Sequence, residues 1–113
     1  MDKPQRLICA SEALADGGDG VRFEIEHDGE LAPAFAVRFG GKVYAYLNRC
    51  AHVALELDWT QGRFFDSYGL YLICATHGAT YLPENGRCIA GPCKGARLTA
   101  IPVTEISGKV FLE

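Results

Sequence analysis

The chain has 113 residues, 49% of them hydrophobic and 22% charged, with a formal net charge of −3. This composition excludes a disordered segment, which combines low hydrophobicity with high net charge, and a nucleic-acid binder, which clusters Lys and Arg against phosphate. The length allows one domain, 1–113, with a modest core, and the mild acidity suits a small protein that meets a basic docking face.

Residues 1–6 carry no long apolar run behind their basic residues, so no signal peptide is expected. No stretch approaches the roughly 20 apolar residues of a membrane span. A soluble, cytoplasmic protein without a membrane partner is expected.

Residues 7–10 form an apolar run that reads as a strand, with Cys9 as a small buried hydrophobe. Residues 11–15 are the helical candidate, ended by Asp16, Gly17 and Gly18. Residues 21–27 alternate strictly, with Phe23 and Ile25 on one face and Arg22, Glu24 and Glu26 on the other, so a half-buried strand is predicted. Asp28-Gly29 is a hairpin turn signal, and His27 beside it reads as an ordinary surface histidine. Residues 34–39 and 42–47 flank Gly40-Gly41 as a second hairpin. Residues 69–73 are strand-like, residues 80–82 and 87–89 make a hairpin around Asn85-Gly86, and residues 99–104 and 109–112 meet at Ser107-Gly108. Many short strands at regular spacing predict an all-β sandwich or barrel.

Two short boxes carry the chemistry. Cys50-Ala51-His52 is followed, after 21 residues, by Cys74-Ala75-Thr76-His77-Gly78. Each places a thiolate beside an imidazole, and together they supply the two sulfurs and two nitrogens of a [2Fe–2S] cluster in which two His replace two Cys on one iron. Tetrahedral zinc also accepts Cys₂His₂, but zinc-finger spacing groups Cys with Cys and His with His. Unconnected buried thiols and satisfied imidazoles are the default for lone residues. That default fits poorly where two of only three histidines occupy matching places beside cysteines.

The boxes resemble those of the Rieske iron–sulfur proteins, Cys-x-His and Cys-x-x-His-Gly, and the resemblance runs from about Leu7 to Leu112. It implies the Rieske fold: an antiparallel β base domain with an inserted cluster-binding subdomain, about 47–94. It further implies one cluster per chain, with Cys50 and Cys74 on the inner iron and His52 and His77 on the outer. Gly78, Tyr81 and the Pro-containing loop at Gly91-Pro92 would lie around them. Replacing two thiolates by two neutral imidazoles raises the potential from about −400 mV into a window of about −150 to +300 mV. High-potential relatives place a Ser two residues after the second His and a Tyr four residues after it. This chain has Ala79 and Tyr81 there, which predicts a low to intermediate potential, with a plain inward-facing strand aromatic as the other reading of Tyr81.

Cys9, Cys88 and Cys93 are expected as free thiols in a reducing cytoplasm, with a Cys88–Cys93 disulfide as the alternative. The bridge that joins the two cluster loops in cytochrome bc-type members has no cysteines to form it here. The spacer 53–73 is longer than usual and rich in aromatics: Trp59, Phe64, Phe65 and Tyr68 either form a docking flap or pack as a small core, the more ordinary outcome. No catalytic triad, P-loop or GxGxxG is present, and after the boxes only His27 is left for a second metal site. The expected role is therefore that of an electron carrier of the ferredoxin type, not an enzyme. It would pass single electrons from a reductase donor to an oxygenase-type acceptor or another protein redox partner. A redox-sensing module, or an accessory subunit of a multi-subunit oxidoreductase, is the alternative.

Overall fold

The structure, a computed structural model, describes residues 6–50, 56–58, 60–74, 78–92 and 95–113. In chain order it contains β1 (Arg6–Ala10), a 3₁₀ turn (Ser11–Ala13), β2 (Val21–His27), β3 (Glu30–Phe39), β4 (Lys42–Leu47), β5 (Leu72–Ile73), β6 (Thr80–Tyr81), β7 (Cys88–Ala90), β8 (Val103–Ile106) and β9 (Lys109–Leu112). They form three antiparallel sheets with strand orders β1-β9-β8, β2-β3-β4 and β5-β6-β7. The all-β, antiparallel expectation is met. Among the described residues no helix is long and apolar enough to cross a membrane.

The predicted hairpins stand where the turn residues place them. Asp28-Gly29, Gly40-Gly41 and Ser107-Gly108 are two-residue loops with positive φ at both positions. That geometry matches the right-handed twist of the flanking strands.

Three elements differ from expectation. The helical candidate is a single 3₁₀ turn, because Leu14 returns to extended backbone and buries its side chain in the core. β3 starts at Glu30 rather than Ala34 and runs through Pro33. Counted from the two-residue turn, Glu24 and Pro33 form a pair that exchanges no ladder hydrogen bonds. The proline nitrogen therefore faces the side where β4 has ended, and the Pro33 carbonyl accepts the Asn48 N–H at 2.8 Å. The strands nearest the boxes are shorter than predicted, and residues 99–102 are tied to β4 only by the Tyr46–Ala100 bridge and the Leu47–Thr99 and Ile101–Ala45 backbone bonds. Those bonds join the β8–β9 segment to the β2-β3-β4 sheet.

Two cores result. One lies between the β2-β3-β4 and β1-β9-β8 sheets, built on Leu14, Leu47, Ile101 and Val110 with a floor of alanines from β3 and β4. The other holds Phe35, Tyr46, Leu57, Phe64, Leu72, Tyr81 and Leu98, together with Cys50 and Cys74. Its seam with β3 is the Phe35–Phe64 stack, with ring centroids 3.9 Å apart. Phe64 is thus core, as the ordinary reading held, and Phe65 lies 6.1 Å from Phe39. Tyr68 is 84% exposed, and Trp59 lies outside the described residues. Tyr46 reaches across from β4 to donate its hydroxyl to the Pro83 carbonyl at 2.6 Å, with Gly86 so close beneath the ring that a Cβ there would sit 2.8 Å from it.

Arg38 fastens the open side of the base. Its guanidinium donates to the carbonyls of Leu14, Ser11 and Gly41 and pairs in a fork with Glu105 of β8. The hydrogen-bonded Arg38 holds the Glu105 carboxyl at about 2, below its ordinary 4.5. A depressed carboxyl stabilises the fold above its unfolded value, and that contribution disappears as pH falls from about 4.5 through 2. Glu105→Gln should therefore lower stability at pH 7 by about 1 kcal/mol, a modest value because water screens this partly exposed pair. Urea unfolding of both forms should show the gap closing as pH approaches 2.

Candidate metal centre

Cys50 follows β4 by three residues, and Cys74 directly follows β5. Both are buried, and both belong to the same apolar cluster. Antiparallel pairing sets Tyr81 opposite Leu72, two residues before Cys74, while its hydroxyl lies 3.2 Å from Cys50 Sγ. One fully buried phenol thus bridges the two boxes, so the plain strand-aromatic reading of Tyr81 omits a polar contact that the structure contains. His52 and His77 lie outside the described residues.

The second box turns tightly. Gly78 N–H donates to the Cys74 carbonyl at 2.9 Å and Cys74 N–H to the Ala79 carbonyl at 2.8 Å. Gly78 takes φ +71°, a conformation L side chains rarely adopt. Gly91 lies against this turn: a Cβ there would come within 2.9 Å of Ala79 Cα. Pro92 is exposed on the same loop. Ala79 is fully buried and offers no side-chain donor, while the Tyr81 hydroxyl makes a polar contact to a box sulfur.

A buried polar staple that sequence reasoning missed holds the first box. Asn48, two residues before Cys50, donates from Nδ2 to Asp58 Oδ1 at 2.8 Å and accepts the Leu57 N–H on Oδ1 at 2.8 Å. Asp58 Oδ2 accepts the Gly62 N–H at 2.9 Å and faces Arg22 Nε of β2 at 3.5 Å. The Asp58 side chain is fully buried, while Arg22 extends outward to Glu56 at 2.7 Å. Residues 48 and 57 are thereby pinned together, closing the stretch that carries the first box. The available signal was an Asn so near a ligand-type Cys, followed by an Asp inside an otherwise apolar stretch.

Cys88 corrects the free-thiol expectation: it is disulfide-bonded. It is buried in the cluster that holds Cys50 and Cys74, and Cys93 lies outside the described residues. Cys9 is half-buried on β1, where burial pushes its thiol up. His27 is half-exposed, 3.4 Å from Asp28, in keeping with a surface role.

Two buried cysteines brought into one apolar core by β5, β6 and the end of β4 define a small β protein built around a buried cysteine pair. The chain belongs to the Rieske [2Fe-2S] domain family, whose model matches residues 5–105, and the cofactor of that family is the Rieske-type [2Fe–2S] cluster. The fold is shared with solved ferredoxins. That of carbazole 1,9a-dioxygenase from Nocardioides aromaticivorans IC177 is 23% identical, with a TM-score of 0.72 and 97% of each chain covered. The Sphingomonas yanoikuyae B1 ferredoxin is 21% identical, with a TM-score of 0.74 and coverage of 97% of this chain and 98% of that one. A ferredoxin solved in a complex of reduced oxygenase and oxidized ferredoxin in carbazole 1,9a-dioxygenase is 22% identical, with a TM-score of 0.72 and coverage of 98% and 94%. Among curated proteins none matches the chain by sequence.

Asp58→Ala would leave Asn48, the Gly62 N–H and Arg22 without their shared acceptor. Truncating one member of a buried charge network costs about 3 kcal/mol. Urea unfolding should show that loss, whereas Glu56→Ala, at the exposed end of the same chain of contacts, should cost about 0.5 kcal/mol or less.

Proposed function

We propose that this chain is a one-electron carrier of the Rieske ferredoxin type, a single domain over 1–113 with a cluster-binding subdomain at about 47–94. The reading takes Cys50 and Cys74 as the sulfur ligands of one [2Fe–2S] cluster and His52 and His77 as its nitrogen ligands. Tyr81 donates a hydrogen bond to the Cys50 sulfur, and Gly78, Gly91 and Pro92 shape the cover. The observation that carries it is the burial of the two box cysteines in one apolar core, with the Tyr81 hydroxyl 3.2 Å from a box sulfur. A thiolate buried there needs a compensating cation, and iron supplies it.

When bound, the cluster supplies a site for one electron. The protein's own residues exclude water, fix the ligand geometry and hold one hydroxyl against sulfur. Sharing its fold with a ferredoxin solved in complex with an oxygenase supports a terminal oxygenase as acceptor, and on this reading a reductase is the donor. A cytoplasmic location suits such a carrier. On this reading the chain transports electrons and turns over no substrate by itself.

One observation favours a second reading. The Cys88 disulfide shares a core with the box cysteines, so its reduction would be sensed at the cluster if the chain were a redox sensor. A carrier keeps its midpoint potential when that disulfide is reduced; a sensor shifts it.

Film voltammetry of anaerobically purified protein tests the main reading. The midpoint should fall in the lower half of the window of about −150 to +300 mV. Tyr81→Phe should lower it by on the order of 50 mV, since a lost hydrogen bond no longer favours the reduced, more negative state. Cys50→Ser and Cys74→Ser should lose the iron. Zinc in place of iron, or no redox signal, would sink the assignment.

A further inference from the structure

Arg87 and Arg97 face each other across an antiparallel bridge. The flanking bonds are Cys88 N–H to the Ala96 carbonyl and Leu98 N–H to the Gly86 carbonyl, each 2.8 Å. This pattern makes the arginines a non-hydrogen-bonded pair, the arrangement with the closest side chains, about 4.5 Å apart at Cα. Both are exposed. Among the described residues the ion pairs go to Arg22, His27 and Arg38, and no carboxylate is paired with Arg87 or Arg97. Like charges set directly opposite are destabilising, and among the described residues no ion pair compensates this pair.

The surroundings carry the argument further. Strand alternation puts Ile89 on the same outward face as Arg87, since Cys88 between them is buried and Ile89 is 36% exposed. Gly91, two residues on, packs against the second box. The charge of the whole chain is divided in the same sense. Residues 48–97 hold five Lys and Arg against four Asp and Glu, while the rest holds six against ten. One of those four acids, Asp58, is buried on Arg22 and projects no charge outward. The net acidity of the protein thus lies outside residues 48–97, which hold one more cationic than anionic side chain.

We propose that Arg87, Arg97 and Ile89 form the docking face for an electron-transfer partner whose contact surface is rich in Asp and Glu, reversing the basic partner that net charge alone suggested. The proposal rests on the carrier reading. Two unpaired guanidiniums around an exposed aliphatic side chain offer fork-like carboxylate recognition about an apolar centre. The strand that follows Arg87 runs through Ile89 to Gly91 at the second box, so the face extends from the arginines toward that box.

Cytochrome b5, an acidic haem protein, is the probe. Its association with the purified holoprotein is followed by surface plasmon resonance at about 20 mM and about 200 mM salt, where screening differs strongly. Wild type should associate faster at low salt, and R87E/R97E should lose on the order of tenfold in association rate with a flattened salt dependence. K42E/K109E, with the same charge change placed on the base, should behave as wild type. Equal rates for R87E/R97E and wild type, an equal loss in K42E/K109E, or no association of wild type would overturn the proposal. The carrier reading has its own readout. One electron should pass from the dithionite-reduced protein to the ferric haem of bound cytochrome b5, giving ferrous haem. Salt-dependent, Arg-dependent binding without that transfer would sink the carrier reading and leave the docking face standing.

Discussion

The buried carboxylate of Asp58 is the constraint on which the architecture around the boxes depends. It gathers partners from separate parts of the chain: Asn48 after β4, the Gly62 N–H in the spacer, and Arg22 on β2. A carboxylate taken out of water is tolerated only where charge and hydrogen bonds replace the lost hydration. Here that requirement works in the protein's favour, because the replacements can be present together only when the first box, the spacer and the base sheet are correctly placed. The apolar contacts around it, such as the Phe35–Phe64 stack, are non-directional and would accept several registers. The polar staple selects one.

A division of labour follows. The base is held by ordinary β physics: hairpins whose turn residues accept positive φ, an alanine-rich floor, and Arg38 tying β3 to β8 and to the 3₁₀ turn. The part bearing the boxes has strands of only two or three residues, too short to be stable alone. Its ties to the base include Tyr46 on Pro83, Phe64 on Phe35, and Asp58 on Arg22.

This explains which features could be read from the sequence. Strand alternation in β2 and the Gly-containing turns are local signals, and the structure carries them where expected. The start of β3 was hidden by Pro33, whose tolerance depends on where a different strand ends. The Cys-x-His and Cys-x-x-His-Gly spacings made the two cysteines legible, and their shared core agrees. His52 and His77 lie outside the described residues, so their part of the constellation rests on the motif. The Asp58 staple and the Arg87–Arg97 pair were not legible, because both are made by residues distant in sequence or by pairing that only the fold creates. The disulfide at Cys88 ran against an argument from cellular compartment, a property of surroundings rather than of the chain.

The contact between Ala79 and Gly91 joins packing to chemistry. With Gly91 seated against the Ala79 backbone, a side chain at position 91 has no room without moving the loop. Ala79 is itself fully buried and carries no hydroxyl. Close packing that excludes water and the lack of a donor at Ala79 would act in the same direction on a cluster held here. Excluding water leaves added negative charge poorly solvated and lowers the potential, whereas each hydrogen bond to sulfur raises it. The Tyr81 hydroxyl beside the Cys50 sulfur acts on the raising side of that balance.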